Sequence, residues 1–390
     1  MADYSKFRSA TLVYILYLTL ISTVALAQET DPVSDHTESE SVDKDEKEKD
    51  SGRGRFLFLP IIITEPAVGE GLGGALLYFH GKKTIDEAPI TTADDLAKTG
   101  KEKKAPTTAT GLFAFRTNND TAGAGIAHRR TFKNDLYRFT GVLAHANINT
   151  TFFVRDFPFG FSMEGNFLFA NLKRRIVDSN FFVGLSASYA DAAIDFDATP
   201  EDSFSSGILD FSYVDVGVAG SVIYDGRDNT SMPNNGQQVD FTYWRYDEAL
   251  GGDFGYWKSR LKIHSFHEIG KKFVLGLRLD VGQAGRGAPF FALPFVRLRG
   301  IPALRYQGEW AGAFEIEGRY DFAKKWSAVA FAGVGFAEAR FPFSDTQDDI
   351  RAYGVGIRFL ALKEQNVWLE LDVAKGPEDY AFYIAVGHPW

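Results

Sequence analysis

Residues 308–322 read GEWAGAFEIEGRYDF. Trp310, Phe314, Ile316, Tyr320 and Phe322 fall on one parity, and Glu309, Glu315, Glu317, Arg319 and Asp321 on the other. Successive side chains of a β-strand point to opposite faces, so this stretch has one apolar face and one charged face. In a membrane the apolar face meets lipid and the charged face lines a lumen. A soluble β-sandwich alternates too, with its polar face in water and its apolar face closing a core. The remainder of the chain separates the two readings.

Working outward, the same alternation recurs. Phe161, Met163, Phe167 and Phe169 oppose Ser162, Glu164 and Asn166; Val367, Leu369, Leu371 and Val373 oppose Glu370 and Asp372. Trp257, Leu261 and Ile263 oppose Lys258, Arg260, Lys262 and His264. In each, the apolar set is expected to face lipid and the polar set the lumen, which gives the lumen acidic and basic walls. Sixteen such segments, parted by Gly, Asn, Asp and Lys turns, lie near 57–64, 71–81, 107–117, 120–131, 135–148, 159–174, 180–197, 207–224, 236–248, 253–267, 272–283, 308–322, 325–341, 349–361, 365–375 and 379–388. The eighth changes phase between Ser212 and Asp215, which predicts a β-bulge near Tyr213 and Val214.

Composition agrees: 38 Gly, 35 Phe and 16 Tyr against 3 Met and no Cys describe short aromatic strands and tight turns. Lys6 and Arg8 precede an apolar run from Leu12 to Leu26, and Ala25-Leu26-Ala27 stands before Gln28. Residues 1–27 are therefore expected to be a signal peptide. The run is short for a spanning helix, and no other stretch approaches the roughly 20 apolar residues that one needs. Residues 28–55 are expected to be an acidic, disordered linker, with Asp43, Asp45, Glu46, Glu48 and Asp50 among Lys44, Lys47 and Lys49. The net charge of −9 with no basic face argues against a nucleic-acid partner.

Residues 56–390 are thus expected to form an all-β, 16-stranded antiparallel transmembrane barrel. An even count brings both termini to one side, the periplasm, and makes the odd-to-even connections extracellular. Two connections are long. The one from Gly81 to Pro106 is Lys-rich and periplasmic; the sixth extracellular one, Ala284 to Gln307, is apolar and carries Pro289, Pro294 and Pro302. So apolar a loop is poorly placed in water and is expected to fold into the lumen.

That loop holds Val296-Arg297-Leu298-Arg299-Gly300-Ile301. Three further motifs follow the same order as in one group of proteins. Tyr224-Asp225-Gly226-Arg227-Asp228-Asn229 with Pro233 and Gly236 precedes the ninth segment, Glu317-Gly318-Arg319 lies in the twelfth, and Tyr353-Gly354-Val355-Gly356-Ile357-Arg358 in the fourteenth. With these the sequence resembles the BamA/TamA superfamily of outer-membrane assembly barrels (the bacterial surface antigen barrel domain) over about residues 56–390. The resemblance implies a loop-tip motif at Leu298, Arg299, Gly300 and Ile301, with Ile301 where the family has an aromatic residue. It implies a turn motif at Asp225, Arg227, Asp228, Asn229, Pro233 and Gly236. It also implies an assembly signal in the last strand, at Tyr380, Phe382 and Trp390. An arginine sunk into the lumen needs carboxylates, and Glu315, Glu317, Glu370 and Asp372 are the candidates. The alternative is a solvated loop arginine. In Phe331-Ala332-Gly333-Val334-Gly335, Gly333 stands where the family has Asp, which implies fewer acids around the loop. Relatives that insert or export proteins carry POTRA domains of about 75 residues. None fits between Gln28 and Arg55, so a barrel-only member is expected.

Two functions follow. One is membrane-protein insertion or outer-membrane remodelling at the seam between the first and last strands. The other is a transport or lipid-homeostasis barrel with a partly plugged lumen. An enzyme is not expected: His264 and His267 fall on opposite faces of one strand, and no nucleophile, acid and histidine converge. No cofactor or metal is implied. The expected partners are outer-membrane lipids, the assembly machinery during biogenesis and, unidentified, a separate periplasmic partner.

Overall fold

A computed structural model describes residues 55–80, 108–133, 135–154, 157–177, 179–196, 210–229, 232–338, 346–362 and 367–386. The expected leader at 1–27, the linker at 28–55 apart from Arg55, the long connection after Gly81, and Trp390 lie outside the described residues.

Sixteen strands form one antiparallel sheet in chain order. They are β1 Arg55–Ile63, β2 Gly71–Phe79, β3 Ala109–Thr117, β4 Ala122–Phe132, β5 Tyr137–Val154, β6 Phe157–Arg175, β7 Phe181–Phe196 and β8 Phe211–Asp225. The second half comprises β9 Gly236–Tyr246, β10 Tyr256–Ile269, β11 Phe273–Ala284, β12 Trp310–Ala323, β13 Trp326–Ala337, β14 Gln347–Leu362, β15 Val367–Lys375 and β16 Tyr380–Val386. β1 comes to lie beside β16, so the sheet curls into a nearly closed barrel. Among the described residues no helix is long and apolar enough to cross a membrane; the strands do the crossing.

The outward face carries the exposed hydrophobics, among them Leu112, Leu143, Leu185, Val222, Phe314, Ile316, Tyr353, Val355 and Leu371. Inward positions on β12 and β15 carry Glu315, Glu317, Arg319, Glu370 and Asp372, all buried. Tight hairpins such as Lys324–Lys325 cluster at the end that holds the two ends of the sheet. The longer connections 247–255 and 285–309 lie at the other. Barrels of this kind turn their short connections to the periplasm.

Two sequence expectations are corrected. In β6, Phe161, Met163, Phe167 and Phe169 face inward and are buried, whereas Ser162, Glu164 and Asn166 face out. In β8 the register against β7 runs unbroken from Phe211 to Tyr224, with Tyr213, Asp215 and Gly217 all inward, so there is no bulge. β5 and β6 have 18 and 19 residues, well beyond the ~9–11 that span a bilayer. Glu164, Ala193 and Ser212 form a row across β6, β7 and β8, and Asn147, opposite Glu164, is paired to Ala122 at the very start of β4. At that row the outer face is polar, with Glu164 3.6 Å from His145. Inside, the apolar set packs on the long loop. Phe290 stacks against Phe152 at 4.4 Å and Phe161 at 5.5 Å, and Phe291 against Tyr213 at 6.0 Å.

Register slips do occur elsewhere, near Asp321–Ala323, Gly335–Ala337 and Leu360–Leu362. A chain closed by backbone ladders on nearly every strand resists detergent, so the unboiled protein is expected to run faster on a gel than the boiled one and to give a β-rich circular dichroism spectrum. A helical spectrum would overturn this architecture.

Candidate functional site

The loop between β11 and β12 is itself a hairpin. Gly285 N donates to Trp257 O at 2.9 Å, Phe295 bridges Gln307, and Val296 N donates to Tyr306 O at 2.9 Å. At its tip Ile301 N donates to Leu298 O at 3.1 Å, and Gly300 sits at φ +92°. An i-to-i+3 bond with positive φ at the third residue is a type II turn, which glycine enters without strain. This turn aims Arg299 at the wall.

The wall is shaped to receive it. Val296, Leu298 and Ile301 pack on Ala311, Ala313, Ala337, Ile350 and Ala352, all small except Ile350. A Cβ on Gly333 would stand 2.6 Å from Leu298 Cδ2, and one on Gly335 would meet Val296. Gly333, the departure from the family pattern, therefore gives the loop room. It does not leave the arginine short of acids. Arg299 lies 2.6 Å from Glu315, 2.8 Å from Glu317 and 2.8 Å from Asp372, with its guanidinium 3.5 Å above the Phe331 ring.

Arg358, fully buried, completes the box. It binds Asp372 through both terminal nitrogens, and lies 3.3 Å from Glu370 and 3.6 Å from Glu317. Glu370 thus faces Arg358. The Gly354 and Gly356 spacing has a steric cause: a Cβ at Gly354 would strike the Phe331 ring, and one at Gly356 the Asp372 carboxylate. Four carboxylates around two guanidiniums form a charge cluster held out of water, where each pair gains from the low dielectric and would be costly to strip of a partner.

The loop also reaches both edges of the sheet. Gly300 N donates to Tyr383 Oη on β16 at 2.8 Å, and Arg305 lies 2.5 Å from Glu378 in the β15–β16 turn. Ala303 N donates to Glu65 in the β1–β2 connection at 3.1 Å. Burial pushes the Glu65 carboxyl up, while the amides of Ala303 and Ala67 oppose that shift.

Residues 105–296 match a family model described as the Omp85 superfamily domain. The barrel is similar to that of BamA from Haemophilus ducreyi lacking POTRA domains 1–3, with a TM-score of 0.58 at 12% identity over 86% of this chain and 70% of that one. Over residues 105–296 the chain belongs to the Omp85 superfamily. CdiB from Acinetobacter baumannii and CdiB from Escherichia coli each superpose with a TM-score of 0.56, at 10% and 9% identity. They align with 85% and 86% of this chain, which spans 59% and 63% of theirs. At these identities the likeness to solved structures is one of fold. No curated protein matches the sequence. An Omp85-type barrel of this kind resides in the bacterial outer membrane.

The turn residues of this Omp85-type barrel serve as a brace. Asp225 holds Arg227 at 2.9 Å, Asp228 accepts from Asn234 N at 3.0 Å, and Asn229 accepts from Met232 N at 2.9 Å. Gly236 sits at φ +106°. Arg319 of β12 donates to Pro233 O at 3.1 Å and to Asn234, so two motifs far apart in sequence meet. In the last strand Tyr380 and Phe382 point outward and are exposed. Sequence reasoning did not assign roles to Arg358, Arg319, Phe331, Tyr383 or Glu65. The first four lie on the lumen parity of their strands, and that parity was the available signal.

Replacing Arg299 with Met leaves four carboxylates around Arg358 alone and should cost about 3–5 kcal/mol, the usual size of such a loss. Arg299→Lys should retain part of this, since one ammonium does not fork to three carboxylates. The readout is the temperature at which the fast gel band disappears. Combining Arg299→Met with Glu315→Gln should be less damaging than the sum of the two, and strict additivity would show that they are not coupled.

Proposed function

We propose that this barrel inserts proteins into, or remodels, the outer membrane at the seam between β1 and β16, with the loop tip as the latch across that seam. The observation that carries the reading is the placement of the latch. Fifteen neighbouring strand pairs are joined by backbone hydrogen-bond ladders, whereas β1 and β16 lie adjacent without one among the described residues. The loop holds one side through Glu65 and the other through Tyr383 and Glu378. A seam closed by a few side-chain contacts opens at less cost than one closed by a full ladder of backbone bonds.

The second reading, a transport or lipid-homeostasis barrel, is favoured by the lumen's opposed charges. Lys258, Arg260 and Arg297 line a cavity of about 50 Å³ between the loop and β9–β11, across from the acids of β12 and β15. At that size it admits no solute larger than water while the loop is in place.

The chain has no cysteine, so a pair introduced across the seam is unambiguous. Scanning positions 56–62 against 380–384 should yield a disulfide-locked barrel that folds. Cells relying on it should lose other outer-membrane barrels until reductant is added. Unchanged barrel levels with altered permeability or surface lipid would instead favour the second reading.

A further inference from the structure

The two rims of the barrel carry different outward charge. At the end with the long loop, three outward arginines are each neutralised on the spot: Arg116 by Asp120 at 2.6 Å, Arg245 by Asp247 at 2.6 Å and Arg351 by Asp349 at 2.5 Å. At the opposite end, on the outer surface of β4 to β6, Arg130, Lys133 and Arg174 have no carboxylate partner among the described residues. They lie on aromatic rings instead. Arg130 stands 5.9 Å from the Phe132 ring, and Lys133 and Arg174 stand 5.6 and 6.0 Å from Tyr137. Phe132 and Tyr137 are stacked at 5.3 Å and occupy one register row with Arg174. Asp135, in the same turn as Lys133, is taken up by Arg138 and Arg175 on the inner face.

The patch continues toward β2. The Thr110 hydroxyl lies 2.8 Å from both His80 Nε2 and His128 Nδ1, and the two rings are 5.9 Å apart. Tyr78 and Phe139 flank them at 4.8 and 6.4 Å. These strands pair in order, so the row is continuous from β2 to β6.

Aromatic rings at a barrel rim mark the level of the lipid headgroups. Cations at that level that lack a protein carboxylate are matched to phosphate, which accepts charge-assisted hydrogen bonds from guanidinium and ammonium alike. This rim carries the short hairpins, which in outer-membrane barrels face the periplasm. The leaflet there is glycerophospholipid, whereas lipopolysaccharide meets the other rim. We propose that Arg130, Lys133 and Arg174, seated on Phe132 and Tyr137 and bordered by His80 and His128, form a headgroup site for an anionic glycerophospholipid of the periplasmic leaflet.

The test uses the whole barrel, purified in non-ionic detergent and titrated by native mass spectrometry with phosphatidylglycerol, and with phosphatidylcholine of the same acyl chains. The wild type should prefer phosphatidylglycerol. The variant Arg130→Gln/Lys133→Gln/Arg174→Gln should lose that preference, by about fivefold for each cation removed. The variant Arg116→Gln/Arg245→Gln/Arg351→Gln at the other rim should keep it. If the first triple variant does not give the fast gel band, Lys133→Gln alone, altered only in the turn, should show its own fivefold share. Equal preference in wild type and either patch variant would overturn the proposal. So would loss of preference in the control variant, or displacement of the lipid by millimolar inorganic phosphate, which would mark a simple anion site.

Discussion

Arg299 is the charge on which the arrangement turns. A guanidinium 8% exposed has no adequate solvent, and the barrel supplies one in the form of three carboxylates and a ring face. The carboxylates alone would repel one another and the arginine alone would not stay buried, so neither half of the contact is stable without the other. Arg358 then shares Asp372 and Glu317 with Arg299, which couples the loop to β14 and β15 as well as to β12. The glycines at 333, 335, 354 and 356 follow from that box: each is a place where a methyl group would occupy space already taken by the loop, by Phe331 or by a carboxylate.

The same loop explains why the barrel has two unlike interiors. Around the arginine the wall is small and charged. Around Phe290, Phe291 and Leu293 it is large and aromatic, with Phe152, Phe161, Tyr213 and Tyr256 turned inward. The loop is amphipathic along its length, and each side of the lumen matches the part of it that passes by. Hydrophobic burial therefore holds one half of the loop and ion pairing the other, and the two respond oppositely to salt.

Strand number, order and most boundaries were legible in the sequence because parity and turn residues report them directly. The face assignment was legible only where lipid lies outside. For Glu315, Leu371 or Trp257 the rule that apolar means outward holds. For Phe161 and Met163 it inverts, because the aromatic part of the loop takes the inner face there and makes it apolar. Tyr213 misled for the same reason, its inward ring being read as a break in phase. The residue type at a position records what it touches, and a barrel strand that outgrows the membrane changes surroundings partway along. The candidate acids could be named from parity, but their division between two arginines could not, since it depends on the register of β14 against β15, where Arg358 stands opposite Glu370.

The carboxylates around Arg299 come from places very unequal in distance along the chain: Glu315 is 16 residues away and Asp372 is 73. The near acids lie on the strand that directly follows the loop, whereas the far one is in place only when β13, β14 and β15 are all in register. Without that register the arginine is only partly satisfied. The last hairpins thus do more than complete the circumference. They supply a group that completes loop docking, so the sealing of the interior depends on strands distant in sequence from the loop.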